Sequence, residues 1–440
     1  MSKRTIYSNR VWSGGALIPA SVTFEGGLIT AVTNGKHPDA EDFGNKIIMP
    51  GILDAHVHIN EPGRTDWEGF ETATKAAAAG GVTMLTDMPL NASPVTTTLK
   101  AFEEKLAAAN GKLFVHCGFY GGLIPGNLEE LEPLMKAGVL GIKCFLTHSG
   151  IDEFPDVTEA DIDAAMPVIA KYHIPLLAHC EISEESAGYT EDCGSYKKYL
   201  ESRPKKWEND AIALMIKLCR KHRCKTHIVH VSSAEALSMI AAAKKEGLPL
   251  TAETCPHYIY FNAEDIPDNN TLYKCAPPIR EKENNELLKA ALKNGVLDFI
   301  STDHSPAPPD IKEIGSGDLS KAWGGIAGLQ FLLPSSWSAL KDSMSLVQFI
   351  PLLTSAPANF LGLQNKKGTT AAGFDADLTI WDPEEEFEIT EDHIFHRHKI
   401  SPYAGRKLSG CIYQTIVNGE IAYNRKHTGK KAGNIVLHKA

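Results

Sequence analysis

The sequence has no Cys-x-x-Cys pair, no run of apolar residues long enough to span a bilayer, and no Gly-x-Ser-x-Gly elbow. Its nine cysteines are scattered and odd in number, which argues for reduced thiols rather than a disulfide framework. The one tempting spacing, Cys219 and Cys224 around His222, lacks a further ligand nearby and makes a poor zinc site. Without an elbow serine or a clear Cys/His pair, neither Ser nor Cys is the expected nucleophile. Positive charge is also short. Lys+Arg number 44 against 54 Asp+Glu, a formal net charge of -10, so nucleic acid and anionic membrane surfaces are not expected partners. The start, Met1-Ser2-Lys3-Arg4-Thr5-Ile6-Tyr7, has no apolar core of a secretory signal, and a cytoplasmic location is expected.

What is present describes a folded, catalytic-sized chain. Its 440 residues are 43% hydrophobic and 22% charged, ordinary values for a globular protein whose partners are small molecules or other subunits. Short alternating segments near 5–7, 20–24 and 28–32 are broken by Gly14-Gly15 and Gly26-Gly27. Similar segments return at 376–381 and 411–417, the latter followed by the turn Asn418-Gly419. Neither fragment can bury its own apolar face, so the two termini should join as one β-sandwich. Between them, apolar strand candidates at 52–59, 83–88, 113–119, 141–146, 175–180, 226–231, 249–255 and 297–302 alternate with helical stretches such as 70–79, 99–109 and 234–245. Eight such alternations predict an α/β fold, a (β/α)8 barrel over 51–365, with 1–50 and 366–440 forming the composite sandwich. A doubly wound sheet would favour a Gly-x-Gly-x-x-Gly loop after its first strand, and none follows 52–59.

A barrel places its chemistry at the carboxyl ends of its strands, and ligand-type residues recur there. His56 and His58 close the first strand; a period of two puts both on one face, suited to one metal ion. Two exposed strand histidines are the plainer alternative, weakened by the apolar Leu53, Ala55, Val57 and Ile59 around them. Lys143 lies in the fourth strand, His179 ends the fifth, His230 the sixth, and Asp303-His304 the eighth. Burying an ammonium inside Gly141-Ile142-Lys143-Cys144-Phe145-Leu146 is costly, and a charged lysine cannot ligate metal. A lysine carboxylated by CO2 can, since its two carbamate oxygens reach two cations roughly 3.5–4 Å apart. A lysine snorkelling from the barrel edge is the competing reading, and histidines converging from other strands argue against it. His227 and His230, three apart, face opposite ways, and His230 is nearer the carboxyl end. His116 and His257 read as supporting or structural, and His148, His173 and His222 have no evident role. Asp303 can bind a metal through one oxygen and, through the other, move a proton from attacking water to a leaving nitrogen. The reaction expected is a hydrolysis.

This set, His56-x-His58, Lys143, His179, His230 and Asp303, resembles that of the cyclic amidohydrolases, which include dihydroorotases, hydantoinases/dihydropyrimidinases and allantoinases. The resemblance to the allantoinase group is carried by the segment from His58 to Gly69, Asp87-Met88-Pro89-Leu90-Asn91, Gly141 to Leu146, Lys274 to Arg280, Asp303-His304-Ser305-Pro306, and Trp323 to Gln330. It implies two divalent metal ions held by those six residues, with zinc foremost and cobalt, manganese, nickel or iron as alternatives. It also implies N6-carboxylation of Lys143 by CO2, Asp303 as the catalytic base, and a homo-oligomer, commonly a tetramer. The implied reaction is hydrolysis of the cyclic amide of allantoin to allantoate. Dihydroorotases carry an arginine two residues after the second histidine, to meet a substrate carboxylate; here Asn60 suits an uncharged ring. Asn60 and Asn91 are the expected amide contacts, Arg64 a contributor or a structural residue, and Ala276 and Gly325 backbone contacts. The alternatives are another ring opener of the family or, since fold does not fix function, a non-catalytic scaffold.

Overall fold

The computed structural model describes residues 3–183, 191–425 and 430–439. Its strands are of two kinds, distinguished by the faces they bury. Those near the amino terminus are β1 (Arg4–Ser13), β2 (Ala16–Glu25) and β3 (Leu28–Asn34), which mix buried and exposed positions, the exposed two-residue β4 (Glu41–Asp42), and the buried β5 (Ile47–Pro50) that leads into the barrel. β1 to β3 form antiparallel hairpins whose turns, Gly14-Gly15 and Gly26-Gly27, all have positive φ, a conformation glycine adopts without a steric penalty.

The second kind is almost wholly buried, as strands covered on both faces must be. These are β6 (Ile52–Val57), β7 (Val82–Asp87), β8 (His116–Phe119), β9 (Gly121–Gly122), β10 (Ile142–Phe145), β11 (Leu176–His179), β12 (Thr226–Ile228), β13 (Leu250–Thr254) and β14 (Phe299–Ile300). They pair in parallel as β6-β7-β8 and β9-β10-β11-β12-β13-β14. With β9 a short spur beside β10, all eight predicted barrel strands are present. Two seams close the ring. At the first, Leu140 N–H donates to the Phe119 carbonyl at 2.8 Å. At the second, Val57 pairs with His304, His58 N–H donates to the His304 carbonyl at 2.7 Å, and Thr302 N–H and Oγ donate to the Asp54 carboxylate. Helices such as Phe70–Ala79, Leu99–Ala109, Glu159–Ala170 and Lys205–His222 pack around this ring, each burying one apolar stripe.

The carboxyl-terminal strands β15 (Leu378–Glu388), β16 (Lys407–Val417) and β17 (Glu420–Tyr423) return to the first sheet, β15 lying antiparallel to β5. The two terminal fragments are therefore joined in one mixed sheet. It coils until the start of β3 bridges to Asp375, enclosing Ile6, Val22, Phe24, Ile48, Leu378, Ile380 and Ile416 as the core of the sandwich. Gly51 marks the passage from this sheet into the barrel, where a Cβ would lie 2.0 Å from Thr83 Oγ1. One local expectation changes: regular pairing of the sixth strand stops at Ile228, so His230 lies beyond it. Among the described residues no helix is long and apolar enough to cross a membrane.

Candidate active site

His56 and His58 leave the end of β6 on one side of the closing seam, and Asp303 leaves β14 on the other. Both histidine Nε2 atoms lie 3.2 Å from Asp303 Oδ1. His179, the last residue of β11, points its Nδ1 at His230 Nε2, 2.9 Å away, and the His230 and His56 ring centres are 5.5 Å apart. The backbone is bent to achieve this. His230 and Asp303 have φ of 40° and 47°, and Asn60 and Asn91 have 68° and 66°, a left-handed region that side chains with a Cβ seldom occupy. Strain of this kind collects at functional sites because the surrounding fold must impose it.

A shell of carboxylates sets the direction of the imidazoles. Glu253 Oε1 accepts a hydrogen bond from His56 Nδ1 at 2.6 Å, and its other oxygen lies 3.4 Å from His227. Glu181 accepts from His179 Nε2 at 2.9 Å and is itself gripped at two points by the Arg203 guanidinium. Burial disfavours the charge on both glutamates, yet these partners outweigh it and hold both carboxyls below the usual range. With its Nδ1–H donated to Glu253, His56 turns an Nε2 lone pair toward the Asp303 carboxylate. Two acceptors so close need a cation between them, whether a proton or a metal ion. Burial works against a charged His56, but Asp303 and Glu253 prevail and raise its pKa. Burial also opposes the Asp303 charge, and the facing His56, His58 and His230 keep that carboxyl well below its ordinary value.

Lys143, in β10, is fully buried, and its Nζ has no hydrogen-bond partner. It sits 4.9 Å from the centre of the Phe145 ring, which stacks on His179. Burial depresses the pKa of His58, His179 and His230, and the nearby Lys143 charge adds to it. Desolvation pulls the ammonium from 10.5 to about 8, so the neutral amine is within reach near physiological pH. The partnerless Lys143 Nζ and His230 Nδ1, with the opposed His56 Nε2 and Asp303 Oδ1, are donor atoms in want of a cation; this set fits divalent metal. His56, His58 and Asp303 offer ligand atoms all within 4.8 Å of one another.

Above these residues opens a cavity of about 270 Å³, suited to a small molecule. Of the expected substrate contacts, Asn91 and Ala276 line it; Asn60, Arg64 and Gly325 do not. Asn60 is buried with its Nδ2 donating to the Pro306 carbonyl. Arg64 donates to the carbonyls of Asn91 and Ala92 and pairs with Glu153 at 3.0 Å, bracing the Asn91 turn from behind. Gly325 packs against Ser305, where a Cβ would lie 2.3 Å from the Ser305 carbonyl oxygen. Asn91 reaches His58 Nδ1 at 3.3 Å through its amide nitrogen, leaving Oδ1 without a partner. His227 stacks on Phe299, away from the cavity. The wall also includes His148, Tyr199, Arg203, Lys274, Ser305 and Trp323, none of which spacing singled out.

The family model described as "Amidohydrolase family" matches residues 47–422. An allantoinase of Arabidopsis thaliana is 41% identical over 98% of this chain and 90% of its own length. An allantoinase of Streptomyces avermitilis is 42% identical over 94% of each chain. Among solved structures, the L-hydantoinase (dihydropyrimidinase) of Arthrobacter aurescens superposes with a TM-score of 0.92 at 29% identity, covering all of both chains. A barrel with a terminal sandwich, imidazoles and a carboxylate gathered at its strand ends, and these full-length matches lead to one assignment: the chain belongs to the amidohydrolase family.

Proposed function

We propose that this chain hydrolyses the cyclic amide bond of allantoin to give allantoate, a step in recovering purine nitrogen. The observation that carries the chemistry is the buried, partnerless Lys143 among histidines and an aspartate from four other strands. The substrate is supported by the nearly full-length similarity to allantoinases of a plant and a bacterium. In this reading His56, His58, Lys143, His179, His230 and Asp303 hold two divalent cations, zinc foremost, with Lys143 as its CO2 adduct. Such cations polarise a carbonyl and lower the pKa of water toward neutrality.

The residues themselves do the rest. Asp303 takes a proton from the attacking water and returns it to the ring nitrogen as the C–N bond breaks, leaving a carboxylate and a free ureido nitrogen. Glu253 holds the His56 proton on Nδ1 and so keeps Nε2 free, and the Glu181–Arg203 pair does the same for His179 Nδ1. Asn91 offers an unpartnered amide oxygen to a ring N–H. With Asn60 rather than a cation after His58, nothing at that position calls for a substrate carboxylate. The same reading includes a homo-oligomer, taken to be a tetramer, which light scattering would test.

The test is allantoate formation from racemic allantoin by protein reconstituted with zinc or cobalt and bicarbonate, with hydantoin and dihydroorotate alongside. Metal-dependent turnover preferring allantoin is the expected result. Activity on another ring alone would keep the chemistry and overturn the substrate, and silence on all three in metal-loaded protein would leave a scaffold.

A further inference from the structure

The cavity wall carries three cations beyond the imidazoles, and two are already matched. Arg203 is gripped by Glu181, and Lys321 pairs with Asp318 at 3.0 Å. The third, Lys274, has no carboxylate partner among the described residues. Its Nζ donates to two backbone carbonyls of the opposite loop, Ser320 at 3.4 Å and Ala322 at 2.5 Å. An ammonium has three N–H donors, so one remains without an oxygen acceptor among the described residues, on a Nζ that lies 5.5 Å from the centre of the Tyr199 ring in the same wall. Lys274 is also held in place. The buried Lys312 Nζ donates to the carbonyls of Lys274, Trp323 and Gly325, fastening the Lys274 backbone to the loop that carries Trp323. A rigid, half-buried cation with a spare donor, on the wall of a cavity whose floor is His56, His58 and Asp303, is a ligand contact rather than a solvated surface charge.

Resting on the allantoin reading, we propose that Lys274 is a specificity-determining residue that donates a hydrogen bond to the carbonyl oxygen of the substituent on the substrate ring, the exocyclic ureido group of allantoin. The ring amide undergoing hydrolysis must lie against the His/Asp floor, so the substituent reaches for the wall. A charge-assisted hydrogen bond of this kind is worth roughly ten- to a hundredfold in affinity. Because the contact is present before and during reaction, its loss appears in KM rather than kcat.

Lys274→Met keeps the length and removes the donors; Lys274→Arg keeps a donor and the charge. Both are compared with the wild type for allantoin kinetics, zinc content, and the inhibition constant of unsubstituted hydantoin against allantoin turnover. The expected result for Lys274→Met is an allantoin KM raised roughly ten- to a hundredfold, with kcat, zinc content and the hydantoin constant within about threefold of wild type. Lys274→Arg should recover much of the loss. If hydantoin binds too weakly to inhibit even the wild type, the ureido group already dominates recognition and the KM shift decides. An unmoved KM, or allantoin and hydantoin constants that worsen together, overturns the proposal and leaves Lys274 a brace for the 320–322 loop. Wild-type protein silent on allantoin would remove the functional reading first, and this one with it.

Discussion

In the proposed reading Lys143 takes up CO2, which it can do only as the neutral amine, so activation of the metal-free protein would follow the titration of this one buried side chain. An ordinary lysine is ~0.03% neutral at pH 7. With burial holding Lys143 at about 8, its neutral fraction is roughly a tenth at that pH, a gain of about 300-fold. At pH 6 the neutral fraction is ~1%, at pH 8 about one half, and above pH 9 it approaches one. The rate of CO2 uptake should therefore climb about tenfold from pH 6 to 7, several-fold more to pH 8, and then level off. The assay incubates metal-stripped protein at fixed dissolved 13CO2, adds zinc, and follows activity recovery together with the carbamate carbon by NMR. Lys143→Met, which keeps the surface amines and loses only the buried one, supplies the background. A recovery rate indifferent to pH, or a carbamate signal undiminished in Lys143→Met, would show that the buried amine is not the acceptor of CO2.

Further outcomes follow from other side chains. Asp303→Asn cannot take a proton and should lower kcat roughly 10²- to 10⁴-fold; a variant that kept its metal and its rate would remove the aspartate from proton transfer. Glu253→Gln should weaken zinc affinity or activity about 10- to 100-fold, measured by competition with a chelator, because the amide no longer holds the His56 proton on Nδ1; unchanged affinity would mean the tautomer is set elsewhere. Lys105 pairs with Asp87 at 2.6 Å in the core, so Lys105→Met strands a buried carboxylate and should lower stability by about 3–5 kcal/mol in denaturant unfolding; a loss under about 1 kcal/mol would mean water reaches the pair.

Much of this architecture could be read before any coordinates. The barrel strands were legible because strands buried on both faces are continuous apolar runs, and the ligand-type residues stood out by interrupting those runs at their carboxyl ends. Glu253 and Arg203 were not, since each acts on a partner from another part of the chain, His56 and Glu181, and through-space partners leave no spacing in sequence; Glu181, two residues after His179, was within reach of a period-two reading. A period of two put His227 and His230 on opposite faces and nearness to the carboxyl end chose His230, yet His230 does not sit in the strand at all; its left-handed φ turns it toward His179. Asn60 looks from sequence like a substrate contact because it stands where dihydroorotases carry an arginine, and Arg64 like either a contributor or a structural residue. Folded, the Asn60 amide turns to Pro306 and the Arg64 guanidinium to the back of the Asn91 turn.

The seam between β14 and β6 carries a consequence for how the enzyme comes into being. Asp54 and Thr302, which fasten it, are 248 positions apart, and the metal-type residues His56, His58 and Asp303 lie on its two lips. Ring closure and assembly of the site are thus the same event, late in the making of the chain, since nothing ending before Asp303 can supply the second lip. A cation held between the lips would act as a clasp on the whole barrel, so the amides of His58 and Thr302 should exchange with solvent more slowly in metal-loaded than in metal-stripped protein.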